Sequence, residues 1–282
     1  MEEKIHLVYD GNLEVGENPL WDFKNERLLF LDIRGKCVYV KNKDNAEFFE
    51  ISLPQQIGCA AFCENGDLLF GMEDGVYRMN ARGTLVKAHQ DVKIKGRRFN
   101  DGKIGPDGAF YLGTTDNNGE GAFYKLKNGC LEELFDKCAC SNGIEFTSDS
   151  KRMYYIDSLR HMVEIFDFDA SCGALSNRRK FVDIPNEWGL PDGMTLDENG
   201  NLWVALWDGH RIIQIDKDRG VVINEISVPC PKASSCAFGG DDLSELYITT
   251  AAMTDTSEYP KAGQVFKVRP GVNGKEINYY KW

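Results

Sequence analysis

Leu190-Pro191-Asp192-Gly193-Met194-Thr195-Leu196-Asp197-Glu198-Asn199-Gly200-Asn201-Leu202-Trp203-Val204-Ala205 reads as a short strand, a tight turn at Glu198-Asn199-Gly200 and a second strand. The Asn-Gly pair supplies the positive φ angles that a tight hairpin needs. The second strand runs on as Leu202-Trp203-Val204-Ala205-Leu206-Trp207, an apolar run of the kind buried on both faces. Asp192 stands at the start of the first strand, beside a glycine. A carboxylate next to so apolar a hairpin needs a physical reason, and the reason lies in the other copies of the hairpin.

Working outward, the same plan recurs. Gly16-Glu17-Asn18-Pro19 leads through Lys24-Asn25-Glu26 into Arg27–Asp32, followed by strands at Cys37–Val40 and Ala46–Ile51. Gly58–Phe62 leads into Leu68–Gly71, Phe99–Ile104 into Ala109–Gly113, Ser141–Phe146 into Arg152–Asp157, and Ser235–Gly239 into Glu245–Thr249. With the opening stretch these are six copies spaced by about 40–50 residues, the blade period of a β-propeller. Helical periodicity is nowhere sustained, which argues against an α/β barrel. The expected fold is therefore all-β, a six-bladed β-propeller, with residues 1–282 as a single domain. Val265–Val268 and Ile277–Tyr280 leave the last blade short, so the N-terminal strand Ile5–Tyr9 is expected to complete it and remove an open sheet edge.

Composition narrows the partners. The 282 residues carry a formal net charge of -11, which disfavours nucleic acid and anionic membrane surfaces. No apolar run approaches a membrane span, and the acidic start at Met1-Glu2-Glu3-Lys4 is unlike a signal peptide. Nine scattered cysteines without a Cys-x-x-Cys pair point to reduced, mostly buried thiols in a cytoplasmic protein. The oligomeric state is left open.

In a propeller the first strand of each blade lines the central channel. Across the six copies the position at its start reads Asn18 (after Glu17), Cys59, Asp101 (after Asn100), Asn142, Asp192 and Cys236. Four blades would deliver an acid or an amide to one mouth, and two a cysteine. Glu17 and Asp192 would repel each other there unless a cation lay between them. Oxygen donors without histidine favour Ca²⁺, Mg²⁺ or Mn²⁺ over Zn²⁺ without excluding it. The plainer alternative is that these Asp and Asn residues cap turns at blade junctions.

Gly16-Glu17-Asn18-Pro19, Arg98-Phe99-Asn100-Asp101-Gly102-Lys103, Ser141-Asn142-Gly143, Pro191-Asp192-Gly193-Met194 and Ser234–Gly240 resemble, in register and in order, segments of the regucalcin (senescence marker protein)/gluconolactonase/luciferin-regenerating enzyme family. The resemblance implies one divalent metal ion in the central channel, Ca²⁺ ahead of Zn²⁺, Mg²⁺ or Mn²⁺. It implies Glu17, Asn142 and Asp192 as ligands, Arg98 and Asn100 as substrate contacts, and hydrolysis of a sugar lactone. The loop Asp116–Gly121 is short and amide-rich, so the glutamate that contacts substrate in some relatives is replaced at the aligned position by Asn118.

In such a site a metal would polarise the lactone carbonyl and activate water. Asp192 would serve as ligand and general base, or as ligand alone. Arg98 would pair with substrate hydroxyls or an acid group, or form a surface salt bridge. Trp207 and Trp188 are candidate walls for a sugar ring or plain packing residues. Serine-hydrolase chemistry is disfavoured, since no Gly-x-Ser-x-Gly elbow is present and His6, His89, His161 and His210 lie off the repeat position. A calcium-binding regulatory protein is the alternative to a lactonase. A protein-binding scaffold ranks below both, because the Gly-His and Trp-Asp blade signature is missing.

Overall fold

The computed structural model describes residues 5–45, 47–90 and 92–282. Strand β1 (His6–Tyr9) starts no sheet of its own. The next sheet in the chain is β2 (Gly16–Asp22), β3 (Arg27–Asp32), β4 (Cys37–Asn42) and β5 (Phe49–Ser52). It is followed by β6 (Ile57–Phe62), β7 (Leu68–Met72), β8 (Val76–Met79) and β9 (Leu85–Lys87). Then come β10 (Arg98–Ile104), β11 (Phe110–Thr115), β12 (Gly121–Lys127) and β13 (Cys130–Cys138). The fourth set is β14 (Ser141–Phe146), β15 (Arg152–Asp157), β16 (Met162–Asp169) and β17 (Ala174–Asp183). The fifth is β18 (Leu190–Leu196), β19 (Leu202–Trp207), β20 (Arg211–Ile215) and β21 (Val222–Ser227). Last come β22 (Ala233–Gly239), β23 (Glu245–Thr250) and β24 (Val265–Val268), and β1 pairs antiparallel with β24 as the fourth strand.

The described residues thus form six four-stranded sheets, the blade plan expected from the repeat. Among them helix is confined to two 3-10 turns, Ser158–Arg160 and Asn186–Trp188. Two expected strands differ. The one read from Ala46 begins at Phe49, and Ala46 itself lies outside the described residues. Ile277–Tyr280 adds nothing to the last sheet, whose fourth place β1 takes. Tyr280 instead bridges Cys63, with the Tyr280 N–H on the Phe62 carbonyl at 2.9 Å.

The sheets fall into two compact units. One holds the described residues up to Pro54 with Ile184–Ile277, and so the first, fifth and sixth sheets. The other holds Gln55–Asp183 with Asn278–Trp282, and so the second, third and fourth. Each unit has its own aromatic core. In the first, Tyr9, Phe30, Tyr39 and Phe48 meet with ring centroids 5.0–5.3 Å apart. In the second, Tyr111, Phe146 and Phe168 form such a group, and Phe123, Phe135, Tyr155 and Phe166 another.

Hairpin turns are held by aspartates. Asp197 accepts from the backbone N–H groups of Asn199 (3.0 Å) and Asn201 (2.9 Å), from Gln214 Nε2 (2.8 Å) and from the indole Nε1 of buried Trp203 (3.1 Å). The Asn-Gly turn is therefore tied to the apolar strand it introduces. Phe30 and Trp203 sit fully buried on the second strands of their sheets. Truncating either leaves a cavity that rigid neighbours cannot fill, so Phe30→Ala and Trp203→Ala should each cost about 3–5 kcal/mol. Urea midpoints equal to that of the unaltered protein would contradict this.

Candidate functional site

In every sheet the first strand carries one residue more than the second at the same place. The register slips between Glu17 and Leu20, Ile57 and Cys59, Phe99 and Asp101, Asn142 and Ile144, Pro191 and Met194, and Ala233 and Ser235. A bulge of this kind bends the strand and re-aims the side chains at it. Glu17, Asn100, Asn142 and Asp192 all lie at or within their slips. Asn18, next to Glu17, takes a left-handed φ of 50°, a conformation that asparagine tolerates better than most residues.

The slips also correct the expected set. Cys59 bounds its slip on the far side and packs with Phe99 and Leu112 in an apolar cluster. Cys236 joins the cluster of Trp203 and Phe238, its thiol on the Trp203 carbonyl at 3.4 Å. The residues inside those two slips are Gly58 and Ser234. A Cβ on Gly58 would stand 2.1 Å from the Phe99 carbonyl oxygen, so only glycine allows β6 and β10 to approach so closely.

Within the first unit, β22 lies between β2 and β18. Ser234 Oγ donates to the Gly16 carbonyl at 2.5 Å, and a Cβ on Gly193 would meet Ser235 Oγ at 2.0 Å. Glu17 and Asp192 are 5 and 7 % exposed, and the Asn18 N–H holds Glu17 Oε2 at 2.6 Å. Beside the start of β18, Leu190 pairs with Trp207. Trp207 is half-buried against Val15, Ile33 and Ala251, with the Lys232 ammonium 4.7 Å from its ring. Trp188 is half-buried in its 3-10 turn.

Within the second unit, β10 lies between β6 and β14 and carries a directed hydrogen-bond chain. Arg98 Nη1 donates to Asn100 Oδ1 (2.7 Å) and to its neighbour's carbonyl, Phe99 O (2.8 Å). Asn100 Nδ2 donates to Ser141 O and to Asn142 Oδ1, both at 2.9 Å. Asn142 Nδ2 donates to Ser158 Oγ at 2.7 Å. Arginine can only donate, so it fixes which end of Asn100 is oxygen, and Asn100 in turn fixes Asn142. Both Asn100 protons are committed. What it can offer a substrate is a second Oδ1 lone pair for a hydroxyl proton, not a donor for a carbonyl. Asn118 stands apart, exposed at the tip of the β11–β12 turn, where its N–H binds Asp116 Oδ1 at 2.8 Å. Sequence reasoning missed Ser158. The signal was the residue after the strand-ending aspartate, Asp157-Ser158 here and Asp32-Ile33 in the first sheet.

Among the described residues no three His, Cys, Asp or Glu side chains are grouped to hold a metal ion. The expected ligand set has only two carboxylates, the third donor being an amide oxygen. Its chemistry suits a hard cation: the donors are oxygens, each is buried, and Asn142 Oδ1 keeps a lone pair beyond the one Asn100 uses. Of the histidines, His89 Nε2 accepts from the Val76 N–H at 3.1 Å, and His210 sits in a loop with its ring 5.3 Å from that of Tyr259. All nine cysteines are free thiols and six are buried, in line with mostly buried thiols; Cys130 and Cys172 are exposed and Cys140 is half-buried. No helix among the described residues is long and apolar enough to cross a membrane.

Six four-stranded sheets with this strand order define a six-bladed all-β propeller. The whole chain superposes on that of a calcium-binding regucalcin from Agrobacterium tumefaciens with a TM-score of 0.93 at 23% identity, covering 100% of this chain and 99% of that one. Residues 15–252 match the SMP-30/gluconolactonase/LRE-like region, and the chain belongs to that family. It is 34% identical to regucalcin of Xenopus laevis over 96% of both chains. It is 36% identical to the putative sugar lactone lactonase YvrE of Bacillus subtilis over 95% of both.

One buried acid beside the chain of amides titrates unusually. Burial pushes Asp101 up from 3.8 to about 6, although Lys103 and the Gly102 N–H pull it down; Glu145 adds to the rise. Lys103 Nζ in turn lies 3.5 Å from Glu145 Oε2. A raised carboxylate binds its proton more tightly folded than unfolded, so it lowers stability as pH rises from about 4 to 6. Below that window both states are protonated and nothing is lost. Asp101→Asn should therefore gain stability relative to the unaltered protein between pH 4 and pH 7. Urea unfolding that gives the same difference at both pH values would contradict the assignment.

Proposed function

We propose that this chain is a metal-dependent hydrolase of sugar lactones, with Glu17, Asn142 and Asp192 holding one divalent cation. One observation carries the reading: all three oxygen donors sit, buried, at the register slip of the first strand of their sheets. Family membership and the lactonase relative support the substrate class. Ca²⁺ is the cation we favour, with Zn²⁺, Mg²⁺ and Mn²⁺ able to take the same donors. The propeller is read as one domain, and nine cysteines without a disulfide support a cytoplasmic location.

When bound, such a cation polarises the lactone carbonyl and makes a neighbouring water more acidic. Asp192 accepts the proton as water adds to the carbonyl carbon, and returns it to the ring oxygen as the ester C–O bond breaks, leaving an open hydroxy acid. Asn100 Oδ1 accepts from a sugar hydroxyl. The Arg98 guanidinium orients the same face of the substrate, and Trp207 offers an apolar wall to the ring. Asn118, exposed at the tip of its turn, is kept as a proposed substrate contact.

Activity against a panel of sugar lactones should vanish after chelation and return with added Ca²⁺. Undiminished hydrolysis in the chelated sample, confirmed metal-free by elemental analysis, would end the metal reading. Glu17→Ala should lose metal on dialysis more readily than Asn142→Ala, because a carboxylate supplies charge and an amide only a dipole. Asp192→Asn at saturating metal keeps an oxygen ligand but loses the proton acceptor. Its kcat should fall about 10²-fold or more, and near-normal turnover would demote Asp192 to a ligand.

A further inference from the structure

The two strand-ending aspartates play one structural part twice. Asp32 accepts from the N–H groups of Glu14 (2.9 Å) and Val15 (3.0 Å), just before Glu17. Asp157 accepts from Ala139 (3.0 Å) and Cys140 (2.9 Å), just before Asn142. In both, the next residue's N–H returns to the braced segment: Ile33 to Val15 O at 2.9 Å and Ser158 to Cys140 O at 3.0 Å. The copies diverge at that residue's side chain. Ile33 is apolar and packs with Val15 and Ala251. Ser158 is polar, 3 % exposed, and accepts from Asn142.

The divergence follows the chemistry of the residue being served. Glu17 is a carboxylate and has no proton that needs an acceptor. Asn142, a residue 5 % exposed, has an NH₂ group, and a buried donor left unmet costs its full desolvation. An amide can also turn over, exchanging oxygen for nitrogen and pointing a donor where a ligand is needed. We propose that Ser158 is a positioning residue for the cation. By taking Asn142 Nδ2, while Asn100 Nδ2 takes one lone pair of Asn142 Oδ1, it locks the amide with its oxygen towards the metal. Arg98 holds Asn100 in the matching sense and so acts on Asn142 through one amide.

The inference rests on the metal reading, and calorimetric titration of the full, chelator-treated and dialysed chain with Ca²⁺, and in parallel with Zn²⁺, separates the two. Ser158→Ala should weaken cation binding about tenfold or more, and Ser158→Thr, which keeps the hydroxyl, should recover most of it. In an Asn142→Ala background, Ser158→Ala should change affinity less than about twofold, because the two residues act as one unit. A purely structural serine would cost as much in either background, so equal losses overturn the inference. So does a Ser158→Ala protein that binds as tightly as the unaltered one while Asn142→Ala does not. If the unaltered chain binds neither cation, or Asn142→Ala leaves binding unchanged, the metal reading falls and the inference with it.

Discussion

A single extra residue in the first strand of each sheet is the constraint on which the rest depends. A regular strand sends alternate side chains to opposite faces, so a polar residue in an otherwise buried first strand would have to face apolar neighbours. The slip breaks that alternation locally, and Glu17, Asn100, Asn142 and Asp192 all lie at or within such slips. The same slip fixes what may fill it elsewhere. Gly58 and Gly193 are there because the neighbouring first strand already occupies the space of a Cβ.

Polar groups placed in this way still need partners, and the partners give the second unit its order. Arginine has no acceptor, so the hydrogen bond from Arg98 to Asn100 can run in one direction only. Every later bond in the chain inherits that direction, through Asn142 to Ser158. The Ser141 carbonyl, which can only accept, holds Asn100 in the same sense from the other end.

Much of this was legible in the sequence. The six hairpins showed themselves through turn residues followed by apolar runs, and the short last blade predicted that β1 would pair with β24. The cysteines were misread because a bulge displaces register by one residue, and motif alignment on Cys59 and Cys236 counts straight through it. Ser158 was invisible for a different reason. Its partner is 16 residues away, and a serine after an apolar strand looks like any turn residue. Only comparison with Asp32-Ile33, in a copy whose ligand candidate is a carboxylate, gives it meaning.

The central proposal is that Glu17, Asn142 and Asp192 hold one cation, and anomalous diffraction from crystals grown with Mn²⁺ tests it most directly. The account predicts one strong peak bonded by oxygens of Glu17, Asn142 and Asp192 at about 2.0–2.4 Å, in the range for hard cations on oxygen, with the Asn142 amide nitrogen turned to Ser158. A peak that touches none of these three residues would contradict it.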